Sequence, residues 1–201
     1  MTIRKTTPRD LDAVMGIYAY AREQMALGGN PHQWGDAYPP REMIEADIRA
    51  GFNYVCEGTP MDGLLTDGLP TDGLPGGDPS GMGENGDSLT GILAVFYFNI
   101  EVEPTYTTID GAWLDPDTPY GVVHRIARGP DGKGTGAFCL EWCLTQWGNI
   151  RIDTHAANGP MLALLPRLGY TRCGIIRLGR FEDAALDERV AFQKLGLAWK
   201  R

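Results

Sequence analysis

The chain has 201 residues, 43% of them hydrophobic, and a formal net charge of −8, which is enough apolar material to bury a core in one domain of ordinary size. No apolar run approaches the about 18 residues that a membrane-spanning helix needs, and no charged segment leads into an apolar one at the start, so the expectation is a cytoplasmic protein with no membrane partner. Seven acids (Glu57, Asp62, Asp67, Asp72, Asp78, Glu84, Asp87) fall in one stretch without Lys or Arg; the remainder is near neutral with no basic face, so nucleic acid is not an expected partner.

In chain order, residues 2–5 form a short strand candidate, and Thr7-Pro8-Arg9-Asp10 then supplies an N-cap, a Pro at the first helical position and an acid at the third. Leu11, Val14, Tyr18, Ala21 and Met25 recur on one helical face until Gly28-Gly29-Asn30 ends it. A loop carrying His32, Trp34 and Tyr38 leads through Pro39-Pro40 to a second helix marked by Met43, Ile44 and Ile48 and closed at Gly51. Residues 52–56 read as a strand. At about 58–88 the units Met61-Asp62-Gly63-Leu64, Thr66-Asp67-Gly68-Leu69 and Thr71-Asp72-Gly73-Leu74 repeat with a period that fits neither helix nor strand. This Gly/Asp/Pro-rich, low-complexity insertion has too little apolar surface for a core of its own, so residues 1–201 are expected to form a single domain around it.

Residues 90–98 are a strongly apolar strand, and 101–119 an irregular connection bearing Tyr106, Asp110 and Trp113, long enough to cover a neighbouring site. Next, Val122-Val123-His124-Arg125-Ile126-Ala127-Arg128 reads as a strand, Gly129-Pro130-Asp131-Gly132-Lys133-Gly134 as a glycine-rich turn, and the residues from Thr135 as a helix burying Phe138, Cys139, Trp142 and Cys143. A strand over 150–155, a helix from Asn158 to Gly169-Tyr170, and strands over 170–176 and 188–194 complete an α/β chain. Cys56, Cys139, Cys143 and Cys173 sit in apolar contexts without C-x-x-C or His-rich spacing, which reads as buried thiols and no metal site.

The glycine turn is a place where amides converge on a helix N-terminus, an arrangement that binds phosphate. It is not a P-loop, because Gly134 follows Lys133 where Ser or Thr would be required. The glycine spacing also fails the dinucleotide fingerprint. The run Asp131-Gly132-Lys133-Gly134-Thr135-Gly136 resembles the acyl-CoA pyrophosphate loop of the GNAT N-acetyltransferase superfamily, Arg/Gln-x-x-Gly-x-Gly/Ala, with Asp131 in place of the Arg or Gln. His124-Arg125-Ile126-Ala127 resembles that family's fourth strand, Asn158 with Leu168-Gly169-Tyr170 resembles its Asn-x-x-Ala helix and Leu-Gly-Phe ending, and the order of elements agrees.

The resemblance implies a mixed, mostly antiparallel sheet with splayed fourth and fifth strands and helices on both faces. It further implies acetyl-CoA as the acyl donor, with the backbones of Ile126, Ala127 and Arg128 holding pantetheine, Gly132, Lys133, Gly134, Thr135 and Gly136 the pyrophosphate, and Asn158 the arm from the other side. The activity implied is transfer of an acetyl or other acyl group to the primary amine of a small molecule or a peptide N-terminus, with homodimerisation as a further expectation. The alternatives are a catalytically weak CoA-binding module and an interaction protein using the acidic insertion.

Such chemistry needs a route for a proton off an ammonium of pKa about 10, a donor for the oxyanion, and a proton for the leaving thiolate. The family's usual Tyr acid falls on Leu165, which cannot donate. His124 has the right chemistry for a catalytic role and is also readable as a hydrogen-bonded core histidine; Asp153 and His155 end the next strand, Asp153 also being readable as a helix-orienting residue. Trp34 and Tyr38 are candidate walls of the substrate site or packing residues.

Overall fold

The computed structural model describes residues 1–58 and 91–197; apart from Gly58, the insertion expected at 58–88 lies outside the described residues. The element sequence begins with β1 (Thr2–Lys5), α1 (Leu11–Leu27), α2 (Arg41–Ala50), β2 (Asn53–Glu57) and β3 (Ile92–Ile100). It continues with β4 (Asp110–Gly111), β5 (Gly121–Arg128), α3 (Thr135–Gln146) and β6 (Asn149–Thr154), and closes with α4 (Gly159–Arg167), β7 (Thr171–Arg177), α5 (Ala184–Asp187) and β8 (Glu188–Leu195). One eight-stranded sheet runs β1-β2-β3-β5-β6-β8-β7-β4. Every adjacent pair is antiparallel except β5 and β6.

The expected capping box is present: the Thr7 backbone N–H donates to Asp10 Oδ2 at 2.7 Å, ahead of a short 3-10 turn over Pro8–Asp10 that leads into α1. Alternation along the strands sorts side chains to the two faces. Cys56, Ala94, Phe96, Phe98, Val123, Ile150 and Ile152 pack with Cys139, Leu140, Cys143 and Leu165 under α3 and α4. Val55, Val95 and Ala127 pack on the opposite face with Val14, Ile17, Tyr18 and Ile44 of α1 and α2. The four cysteines are free and buried, Cys139 and Cys143 within the first of these clusters. Among the described residues no helix is long and apolar enough to cross a membrane.

Two irregularities set up the site. β5 pairs with β6 only at Gly121↔Ile150, Val122↔Arg151 and Val123↔Ile152, whereas on its other edge it follows β3 as far as Arg128↔Ala94. From His124 onward, therefore, one edge of β5 has parted from β6, which is the expected splay. The second irregularity is a bulge: Val95 faces Ala127 and Tyr97 faces His124, so Arg125 and Ile126 together oppose Phe96. Arg125 takes φ +51°, rare for a non-glycine residue, and is tied down by Asp47 at 2.7 Å and by its guanidinium 4.8 Å above the Tyr97 ring. Burial pushes the Asp47 carboxyl up, against the pull of Arg125.

Candidate active site

Two cavities open where β5 and β6 part. One, about 340 Å³, is lined by His124 together with Glu103, Asp153, Trp34, Tyr38 and Arg189. The other, about 540 Å³, lies along Ile126, Ala127 and Arg128 and reaches Gly134, Gly136 and Asn158. Met25, Ile126, Asn158 and Met161 line both, so the cavities adjoin.

At the head of the parting His124 sits between two carboxylates. Its Nε2 is 3.0 Å from Glu103 Oε2, and its Nδ1 is 3.7 Å from Asp153 Oδ1. A carboxylate only accepts, so in the neutral imidazole the Nε2 proton is assigned to the Glu103 bond and the lone pair to Nδ1, on the Asp153 side. The bond with His124 outweighs burial and, helped by the Thr105 amide and hydroxyl, holds the Glu103 carboxyl at about 2. Asp153 accepts a 2.7 Å hydrogen bond from the Tyr106 hydroxyl. Burial, reinforced by that carboxylate, pushes the Tyr106 phenol far above its ordinary range. Asp153 thus faces His124 and Tyr106, where the sequence left open a helix-orienting role; His155 Nδ1 instead accepts from the Ala157 amide at 3.1 Å.

Glu103 went unremarked in the sequence because it lies in the 101–119 connection. The one local signal is the following Pro104, which starts a 3-10 turn whose first residues Glu103 caps through the Thr105 amide. That connection is a packed wall. Trp113 Nε1 donates to the Tyr106 carbonyl at 3.0 Å, and Asp110 and Gly111 add an edge strand to β7.

The glycine loop divides its labour unevenly. Only Gly134 among its glycines has positive φ, at +83°, with nothing within 4 Å of where a Cβ would be. At Gly132 a Cβ would fall 2.1 Å from the Leu93 carbonyl, so that glycine serves the approach of the loop to β3. The Thr135 amide and hydroxyl both donate to the Gly132 carbonyl, at 3.2 and 2.7 Å, closing the turn. Because α3 starts at Thr135, the following amides have no intrahelical acceptor and point out of the helix N-terminus beside Gly134. Lys133 and Asp131 are exposed, and Arg128 donates to the Gly129 and Pro130 carbonyls.

Asn158 caps α4, its Oδ1 accepting from the Met161 amide at 3.3 Å, while its Nδ2 donates to Gln33 Oε1 at 3.2 Å. Gln33 Oε1 also accepts from Asn30, so one side chain ties the loop after α1 to the start of α4 across the cavity mouth. The rings of Trp34 and Tyr38 lie 6.3 Å apart, Trp34 packs on Tyr18, and both line the smaller cavity. Leu165 is fully buried in the core beneath α4, away from both cavities.

No family model matches the chain, and no curated protein is similar to it in sequence. Solved structures are similar. A GNAT-family acetyltransferase from Streptococcus agalactiae 2603 aligns with TM-score 0.70 and 26% identity, over 96% of this chain and 94% of that one. A GNAT-family acetyltransferase from Listeria monocytogenes 4b F2365 aligns at 0.60 and 14%, over 96% and 94%. A GNAT-superfamily phosphinothricin acetyltransferase from Sinorhizobium meliloti, solved in complex with AcCoA, aligns at 0.57 and 14%, over 99% and 91%. In its fold this chain is similar to GNAT-family acetyltransferases over nearly its whole length.

Proposed function

We propose that the protein transfers an acetyl or other acyl group from acetyl-CoA to the primary amine of a small molecule or a peptide N-terminus. The observation that carries this reading is the parting of β5 from β6 at His124, with a cavity on either side of it. The larger cavity suits the donor: the unpaired edge of Ile126, Ala127 and Arg128 offers amides and carbonyls to pantetheine, and Asn158 stands opposite. The open backbone at Gly134, with the first amides of α3, suits a pyrophosphate. Lys133, Thr135, Gly132 and Gly136 shape that turn.

The acceptor enters from the smaller cavity, beside Trp34 and Tyr38. Its nitrogen attacks the thioester carbonyl; the C–N bond forms, the C–S bond breaks, and a proton must leave the nitrogen while one reaches the thiolate. His124 takes the first at Nδ1, becoming an imidazolium held between Glu103 and Asp153. The bulge at Arg125 and Ile126 takes backbone out of the β3 ladder, leaving an N–H available for the oxyanion. A thiol of pKa about 8.5 is a good leaving group, which lessens the need for a tyrosine at Leu165. The test is thiol release from acetyl-CoA with a panel of amines, in wild type and His124→Gln. Amine-dependent release lost in the variant supports the reading; amine-independent release, or none in wild type, refutes it.

A further inference from the structure

Three arginines of the sheet are largely buried, and they are compensated differently. Arg125 has the Asp47 carboxylate at 2.7 Å. Arg151 lies over the rings of Trp113 and Tyr120, at 4.2 and 3.8 Å, and donates to the Asp115 carbonyl. Arg189 is 5% exposed; the Asp153 and Asp187 carboxylates lie near enough to favour its charge, but among the described residues none is in direct contact with it and no ring lies over it. Both of its hydrogen bonds leave Nη1, for the Leu186 and Glu188 carbonyls at 2.7 and 2.8 Å, and among the described residues it forms no ion pair. With only Nη1 hydrogen-bonded among the described residues, the rest of this buried guanidinium fork is left to meet a further anion.

What it faces is the acceptor cavity. β8 pairs Ala191 with Asp153, so Arg189, two residues before Ala191, projects from the same face as Asp153 and lines the cavity with it and His124. The cavity is therefore polarised: Glu103 and Asp153 stand near His124, and Arg189 stands on the far strand, with Arg180 lining the same space. The cavity, about 340 Å³, is of a size to hold one small molecule with an amine toward His124 and a carboxylate toward Arg189.

We propose that Arg189 binds a carboxylate of the acceptor, making the acceptor a free amino acid in preference to a simple amine or a peptide N-terminus. The carboxylates beside His124 draw the ammonium end, and the guanidinium fork takes the other end through two parallel N–H bonds. This inference rests on the acyl-transfer reading above and narrows its substrate class.

The experiment compares free amino acids with their amides and with the corresponding decarboxylated amines, using wild type, Arg189→Met and Arg189→Lys. Thiol release gives kcat/KM, and melting temperature in the presence of CoA gives binding without turnover. The expected result is at least one amino acid favoured about 10- to 100-fold over its amide and its amine in wild type. That ratio should fall to near one in Arg189→Met and be partly kept in Arg189→Lys. An amide or amine used as well as the acid by wild type, or a preference surviving Arg189→Met, overturns the proposal. If Arg189→Met does not fold, the wild-type ratio decides alone. Amino acids that raise the melting temperature of wild type but not of Arg189→Met, without any thiol release, uphold the carboxylate site while refuting acyl transfer. If neither release nor a shift is seen, both fall.

Discussion

Gly134 offers a clean test of where the donor's phosphates lie. Its φ of +83° is one that Asn and Asp tolerate better than other residues, and a Cβ there meets nothing within 4 Å. Gly134→Asn and Gly134→Asp should therefore share a similar backbone cost and differ by one charge. If pyrophosphate sits on the amides beside Gly134, the added carboxylate lies about 5 Å from a phosphate charge. At an effective dielectric between about 80 and 20, that is about 1 to 3 kcal/mol of repulsion. Titration calorimetry with CoA should show Gly134→Asp binding about 5- to 150-fold more weakly than Gly134→Asn, with equal melting temperatures. The gap should shrink at about 1 M salt, where the screening length falls to about 3 Å. Equal CoA affinities for the two variants at low salt would refute the placement of the pyrophosphate.

Three further outcomes are expected. Glu103 is held at about 2 against an ordinary 4.5, so its stabilising contribution is fully present above pH 4.5 and is lost as pH falls toward 2; Glu103→Gln should lower stability at neutral pH and flatten the acid limb of a denaturation series. Asn158→Ala removes both the α4 cap and the link to Gln33, and should cost about 1 to 2 kcal/mol in denaturant unfolding along with weaker CoA binding. The Gly58 amide already donates to the Gly91 carbonyl at 2.9 Å, closing the β2–β3 pair. Replacing residues 60–87 with a short Gly-Ser link should therefore barely move the melting temperature, and a loss of many degrees would show that the insertion packs on the fold.

Periodicity carried the long elements. The apolar run of β3 and the amphipathic spacing of α1 are local patterns, and the glycine turn between β5 and α3 announces itself by composition. What escaped depends on partners distant in the chain. Nothing in His124-Arg125-Ile126-Ala127 marks a bulge; it appears only because β3 fixes Val95 opposite Ala127 and Tyr97 opposite His124. Glu103 lies 21 residues from His124 in sequence, in a segment without a repeating pattern. The glycines of the loop before α3 share one composition in the sequence, yet Gly132 is required by the Leu93 carbonyl and Gly134 by its own φ. β4 spans two residues and α5 four, too short for either period to register. Arg189 carries no local signal; only the pairing of β8 with β6 brings it onto the face that lines the cavity.

The pH dependence of kcat/KM, measured side by side for wild type and His124→Gln with an amine acceptor and acetyl-CoA, tests the central claim most directly. Gln keeps a polar side chain at the head of the β5–β6 parting but cannot take up a proton near neutrality. If His124 accepts the acceptor's proton between Glu103 and Asp153, the variant should lose about 10²-fold or more, and the low-pH limb of the profile should disappear. A variant with the wild-type rate and the wild-type limb would contradict the account and return His124 to a structural role.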